Sequence, residues 1–149
     1  MFRLMSMTLG ALLAAPAVAG QWIGPGTNES SNARELSALL AAEPLGPKDN
    51  IKVTRLARSE ESEHVLVQVR DREPLHYHAD SDISVLIVRG SGEMHVGEAR
   101  YKVAAGDAML VPRGLVHYFV NTGAEPAAAL VIYSPPPGPN DRVLVPPAR

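Results

Sequence analysis

Gly106–Asn121, GDAMLVPRGLVHYFVN, is the stretch that decides the fold of this 149-residue chain. It contains two short runs of apolar and β-branched residues, Ala108–Val111 and Val116–Val120, which predict strands. A Pro-Arg-Gly turn separates the two runs, and Gly106 opens the first of them. The stretch therefore predicts two short strands joined by a tight turn, with His117 on the second strand.

Comparable short runs, separated by Gly, Pro, Asn and Asp, continue through the chain from residue 51. The further predicted strands are Ile51–Arg58, His64–Val69, Ile83–Val88, Gly92–Val96, Tyr101–Val103 and Ala128–Tyr133. Among them, Ile83–Val88 is apolar at every position except Ser84, and it is interpreted as a strand buried on both faces. Short strands at near-regular spacing predict an all-β fold, an antiparallel sandwich or barrel.

His76 and His78 form the most informative pair of candidate functional residues. Residues two apart on a strand point to the same side, with Cα atoms roughly 6.5–7 Å apart. Two imidazoles at that separation can converge on one metal ion at about 2.0–2.1 Å. Asp80 and Asp82 continue the same side and could add a carboxylate. The alternative is that His76 and His78 are two exposed histidines beside an acidic turn. The other isolated histidines, His64 and His95, are interpreted as surface or core residues.

The stretch around His117 also fits the pattern G-x5-P-x-G-x2-H-x3-N at every fixed position. This is the second motif of the cupin superfamily, and the sequence resembles a small single-domain cupin from about Leu66 to Pro135. The first motif, G-x5-HxH-x3-4-E-x6-G, is present in part. His76 and His78 match its HxH, and Gly90 matches its final glycine.

Two positions depart from the first motif. Arg70 stands where its opening glycine is expected, and Ile83 stands at the usual carboxylate position counted back from Gly90. Asp82 stands where the shorter, three-residue spacing after HxH places the carboxylate. Because a shift of one residue in a strand changes the face, Asp82 can ligate only if a loop or bulge absorbs the shift.

The resemblance implies an antiparallel double-stranded β-helix, the jelly-roll cupin barrel, with one short N-terminal helix. It also implies a divalent transition metal (Fe, Mn, Ni, Cu or Zn) held by His76, His78 and His117. Asp82 is expected as the fourth ligand, with a three-histidine site carrying more water as the alternative. Arg113 and Tyr118 are candidates for substrate binding, and no catalytic residue is assigned. Tyr118, Met94, Met109 and Phe119 are interpreted as core residues first and as pocket lining second.

The function expected from this resemblance is that of a metal-dependent enzyme acting on a small organic molecule. Dioxygenase-like oxidation is favoured over isomerase or lyase chemistry. The alternatives are a non-catalytic periplasmic cupin that binds a small ligand or a sugar, and a structural cupin with a vacant metal site. A homodimer is expected from the resemblance.

Composition excludes several other classes of protein. The chain has no cysteine, so disulfides, thiolate zinc sites, iron–sulfur clusters and cysteine nucleophiles are excluded. Its 14 Lys and Arg against 16 Asp and Glu give a net charge of −2, without the basic stripe that nucleic acid or an anionic membrane requires.

The N-terminal sequence predicts a secretory signal peptide. Arg3 precedes an apolar stretch from about Leu4 to Ala15, and Ala17-Val18-Ala19 offers a small-x-small cleavage site. The apolar run is too short for a membrane-spanning helix, so we expect no stable membrane insertion. We expect cleavage after Ala19 and export, with residence in the periplasm if the source is a bacterium.

The predicted organisation has four parts: a signal peptide over 1–19, a lead-in and helix over 20–50, the barrel over 51–135 and a Pro-rich tail over 136–149. Gln21–Ser31 is interpreted as a loose lead-in. The helix is predicted over Ala33–Glu43, with Asn32 as its cap and Pro44 ending it. The tail is expected to lie along the surface.

Overall fold

A computed structural model of the chain describes residues 20–25 and 31–146. The predicted signal peptide, residues 1–19, lies outside the described residues. Within the described ranges, no helix has the length and apolar character needed to cross a bilayer.

Two five-stranded antiparallel sheets form the body of the protein. In chain order the elements are β1 (Gln21–Pro25), β2 (Ser31–Glu35), α1 (Leu36–Ala42), β3 (Ile51–Arg58), β4 (Glu63–Val69), β5 (His76–His78), β6 (Asp82–Arg89), β7 (Ser91–Val96), β8 (Ala99–Ala104), β9 (Ala108–Val111), β10 (His117–Asn121), β11 (Ala127–Ser134) and β12 (Arg142–Leu144). One sheet has the strand order β12-β5-β10-β7-β8, and the other has the order β3-β4-β11-β6-β9. The predicted fold class, an antiparallel jelly roll with one short N-terminal helix, is confirmed.

The main core lies between the two sheets. Alternate residues of each strand point inward, as strand geometry requires. Val65 on β4 and Val131 on β11 come from one sheet, while Met94 on β7 and Phe119 on β10 come from the other. These side chains are all at least nine-tenths buried. The inward face of each strand therefore also decides which side chains reach the interior cavity.

A second, smaller core lies on the outer face of the β3-β4-β11-β6-β9 sheet. There α1 packs Leu36, Leu39 and Leu40 against outward-pointing residues of the sheet such as Leu66. Trp22 of β1 joins this cluster, and its Nε1–H donates to Nδ1 of His64 at 3.4 Å. His64 is therefore a structural residue, in agreement with the sequence interpretation.

The N-terminal region departs from the prediction. Gln21–Pro25 is a strand paired with Ser31–Glu35, so the interpretation of Gln21–Ser31 as a loose lead-in is wrong for the described residues. Because this pairing holds residues 31–35 extended, the helix begins at Leu36 rather than Ala33, and Asn32 is no cap. The helix ends at Ala42, one residue before the predicted end at Glu43, and Pro44 follows its C-cap.

Two further predictions are corrected by the packing. The strand containing Ile83–Val88 is not buried on both faces, because α1 covers Val88 but leaves Ser84 and Leu86 exposed. The C-terminal tail does not only lie along the surface, because Arg142–Leu144 adds the strand β12 beside β5.

The outer face of the α1-covered sheet predicts a contrast between two Leu→Ala substitutions, one beneath the helix and one beyond it. Leu66 is 1 % exposed and packs under α1, whereas Leu110 on the same sheet is 66 % exposed. We expect Leu66→Ala to lower the free energy of unfolding by about 2–5 kcal/mol. We expect Leu110→Ala to change it by less than about 0.5 kcal/mol. Urea unfolding followed by circular dichroism measures both values, and equal losses would contradict this packing.

Candidate metal centre and cavity

Three buried histidines meet between the sheets. His76 and His78 point inward from β5, and His117 lies directly opposite His76 on the neighbouring β10. Ring centroids are 4.4 Å apart for His76 and His117, 5.3 Å for His76 and His78, and 5.6 Å for His78 and His117. One nitrogen from each ring lies within 4.8 Å of the others, close enough for a single ion to contact all three.

The hydrogen bonds of the three rings determine which nitrogen is available. Nδ1 of His76 lies 2.7 Å from the carbonyl oxygen of Pro74, and Nδ1 of His117 lies 2.9 Å from that of Leu115. Nδ1 of His78 lies 2.6 Å from Oδ2 of Asp141. Because carbonyl and carboxylate oxygens only accept, each Nδ1 carries the proton and donates it. In the neutral rings, each Nε2 keeps its lone pair.

Burial keeps two of these rings neutral. It lowers the pKa of His76 from about 6.5 to about 3, and it also lowers the pKa of His117. The positive charges of Arg142 and the neighbouring histidines act in the same direction. Neutral imidazole is the form that binds metal, so protonation competes little with a metal ion at neutral pH.

The donor set therefore fits a divalent transition metal. Three imidazole nitrogens suit Fe, Mn, Ni, Cu or Zn, and they leave positions for water or a bound molecule. The structure brings together the three histidines predicted from the sequence, His76, His78 and His117, and they could hold such an ion.

The structure does not bring Asp82 to the histidines. On β6 the neighbouring Ile83 points inward, so the Asp82 side chain points outward. Its carboxylate accepts hydrogen bonds from Nε and Nη2 of Arg113 at 3.0 and 3.1 Å and from the Arg113 backbone N–H at 2.9 Å. These bonds lower the pKa of the Asp82 carboxyl. The expectation of Asp82 as a fourth ligand is corrected, since no bulge shifts its face.

The two residues expected to bind substrate, Arg113 and Tyr118, do not line the cavity beside the histidines. The Arg113 guanidinium is engaged by Asp82 at the surface. Tyr118 lies between His117 and Phe119 on β10 and therefore points to the opposite face of the sheet. There its ring stacks on His95, with centroids 4.2 Å apart.

A cavity of about 300 Å³ opens beside the three histidines. Its lining is mainly apolar and comes from both sheets, including Ile51, Val53, Val67, Val69, Ile83, Val85, Ile87, Met94, Phe119 and Val131. Met94 and Phe119 belong to the hydrophobic core and also line the cavity. Met109 packs against the core but does not line the cavity. Ile83, at the position where the first cupin motif has a carboxylate, is one of the apolar lining residues.

Four polar residues near the histidines were not found from the sequence. Glu73, Tyr133 and Arg142 line the cavity, and Asp141 lies behind His78. Burial raises the pKa of Glu73, whose Oε2 accepts the Phe119 backbone N–H at 3.1 Å. Burial also raises the pKa of Tyr133 to about 12. None of them belongs to a recognisable motif; only the fold brings them to the site.

Comparison with known proteins gives the family. The cupin domain family matches residues 63–133. An uncharacterized protein of Aquifex aeolicus is 32 % identical over 106 residues, which are 71 % of this chain and 87 % of that protein. The chain belongs to the cupin superfamily.

Several solved structures have a similar fold. TT1209 from Thermus thermophilus is 27 % identical, with a TM-score of 0.60 over 66 % of this chain and 95 % of that one. KdgF from Halomonas is 21 % identical, with a TM-score of 0.55 over 60 % and 84 % of the two chains. The nucleoside dehydratase Pac13 is 17 % identical, with a TM-score of 0.52 over 62 % and 84 %. The last two likenesses concern the fold alone.

The lowered pKa of His76 predicts a pH-dependent stability of the metal-free cupin. Below about pH 6.5 the unfolded chain takes up a proton that the folded protein excludes, so stability falls as the pH is lowered. We expect wild type to lose about 1–2 kcal/mol more free energy of unfolding than His76→Gln between pH 7 and pH 5. Urea unfolding at the two pH values measures this difference, and an identical pH dependence in both proteins would contradict it.

Proposed function

We propose that this cupin is a metal-dependent enzyme acting on a small molecule with a largely apolar body and a polar head group. The observation that carries the proposal is the division of the cavity. Three imidazoles with available Nε2 atoms lie at one part of its wall, and most of the remaining wall is apolar. A ligand bound there would present its polar head to the metal and bury its body among aliphatic side chains.

The apolar wall favours this substrate class over a sugar. A buried sugar would need a hydrogen-bond partner for most of its hydroxyl groups, because each unpaired polar group costs free energy on transfer from water. The valine and isoleucine side chains of the wall offer no such partners. A non-catalytic cupin that binds an apolar ligand remains the second candidate, since the same wall would serve it equally well.

The residues around the histidines have distinct expected roles. His76, His78 and His117 would hold the metal, which when bound supplies Lewis acidity and a binding position for dioxygen. Because three protein ligands leave room for both a substrate and dioxygen, oxidation by O₂ is the favoured reaction over isomerisation or elimination.

Glu73 and Tyr133 supply proton chemistry beside the metal centre. The raised pKa of Glu73 lets its carboxyl take a proton from a bound molecule, or return one, nearer neutral pH than an ordinary glutamate. Tyr133, with a pKa of about 12, stays protonated and can donate a hydrogen bond. Arg142, an exposed residue that also lines the cavity, would attract a substrate with an anionic head group.

We further propose export of the protein with cleavage after Ala19, on the basis of the N-terminal sequence. N-terminal sequencing of the mature protein tests this cleavage. The expected homodimer also stays a proposal, and light scattering at micromolar concentration tests it.

The proposed metal centre predicts how metal content responds to histidine replacement. We expect purified wild type to retain close to one equivalent of a divalent transition metal after growth in supplemented medium. The double variant His76→Ala/His78→Ala removes two of the three donors and should retain less than about a tenth of an equivalent. Elemental mass spectrometry measures both. The matched control is His95→Ala, on the outer face of the same sheet, which should retain the wild-type amount.

Unchanged occupancy in the double variant would overturn the ligand assignment. An empty wild-type protein would favour a structural cupin.

The proposed reaction predicts oxygen consumption that depends on Glu73. We expect metal-loaded protein to consume O₂ with at least one compound from a panel of catechols, flavonols and thiols. Glu73→Gln should slow that consumption by about 100-fold, with metal content unchanged, because loss of a positioned proton acceptor typically costs this much. An oxygen electrode measures the rate. Full metal occupancy with no consumption across the panel would favour the binding-protein alternative.

A further inference from the structure

Asp141 is a fully buried carboxylate that the C-terminal segment places behind the candidate metal centre. It is 1 % exposed and immediately precedes β12, which pairs with β5 so that Arg142 lies opposite His78. Its Oδ2 accepts the Nδ1–H of His78 at 2.6 Å. Its Oδ1 accepts the backbone N–H groups of Asp80 and Ser81 at 2.7 and 2.9 Å.

This arrangement differs from that of the other two histidines. His76 and His117 donate Nδ1–H to backbone carbonyl oxygens only two residues away, so their ring orientation is set locally. His78 instead donates to a side-chain carboxylate 63 residues away in the chain. A charged acceptor makes a shorter and stronger hydrogen bond than a neutral one. It also fixes the tautomer that leaves Nε2 unprotonated.

We propose that Asp141 is a positioning residue of the metal centre, which holds the His78 ring so that Nε2 faces the other two imidazoles. The proposal rests on the proposed metal-dependent function. Asp141 lies outside residues 63–133, which match the cupin domain. The C-terminal strand is thereby an integral part of this site, rather than an appendage of the fold.

Asp141→Asn is the informative substitution, because it changes one bond and keeps the others. The Asn carbonyl oxygen can still accept the N–H groups of Asp80 and Ser81, which fixes the amide NH₂ toward His78. That NH₂ is a donor, so the ring is driven to the tautomer with a proton on Nε2. A protonated Nε2 has no lone pair for a metal. The packing of residue 141 and its hydrogen bonds to the loop are retained. The substitution changes only which nitrogen of the His78 ring carries the proton.

The test combines two measurements on the purified protein, with Asp82→Asn as the control because that carboxylate accepts hydrogen bonds from the surface Arg113 and points away from the histidines. Nitrogen-15 NMR of the metal-free protein reports the tautomer of His78. We expect a proton on Nδ1 in wild type and Asp82→Asn, and on Nε2 in Asp141→Asn. Competition with a chelator for Zn²⁺ reports affinity, which we expect to fall about 10–100-fold in Asp141→Asn alone.

The two measurements separate failure of this proposal from failure of the proposed function. A proton on Nδ1 of His78 in Asp141→Asn, or Zn²⁺ affinity within twofold of wild type, would overturn the positioning role. Wild type that binds no Zn²⁺ would instead count against the metal-dependent function, and the tautomer measurement would still decide the role of Asp141. If Asp141→Asn does not fold, the wild-type spectrum alone decides, because a proton on Nε2 of His78 contradicts the proposal.

Discussion

The site depends on three hydrogen bonds, and in each of them the Nδ1–H group of a buried imidazole is the donor. The carbonyl oxygens of Pro74 and Leu115 and the carboxylate of Asp141 are the acceptors. Because none of these acceptors can donate, all three rings are held in the same tautomer, and their Nε2 lone pairs are available together. Without these bonds, closely packed imidazoles could satisfy one another by donor–acceptor pairing and would offer no common binding point.

The cavity beside this cluster combines two environments that rarely coexist. Burial lowers the pKa of His76 and His117, while it raises the pKa of Glu73. The opposite shifts follow from one cause, since burial disfavours the charged form of every group. The result is a set of neutral ligands next to a carboxyl group that holds its proton more tightly than usual. Such a pairing suits reactions that need both a metal and a proton acceptor.

The sequence predicted the fold and the pair His76 and His78 because strand alternation, Gly and Pro turns and a two-residue spacing depend on nearby residues. His117 was predicted from its place in the second cupin motif, and the structure brings the three histidines together as expected. Asp82 was misassigned because a one-residue change of register reverses the face of a strand, and spacing alone does not report a bulge. The position of Tyr118 follows from the same alternation, since it is adjacent to His117 on β10 and points to the opposite face of the sheet.

The residues that were missed are brought to the site by long-range contacts. Asp141 reaches His78 only because β12 returns to pair with β5, and a three-residue strand among prolines gives little periodic pattern. Glu73 lies in the turn before β5, where a charged residue is normally solvated. Its burial follows from the opposite strand, whose Phe119 N–H donates to it. No local rule predicts either placement.

X-ray absorption spectroscopy of the metal-loaded protein tests the central claim most directly, because its scattering pattern counts imidazole ligands around the ion. The account predicts three imidazole nitrogens at about 2.0–2.1 Å for zinc, with oxygen from water completing the shell. One imidazole or none, or a shell of oxygen atoms only, would contradict it.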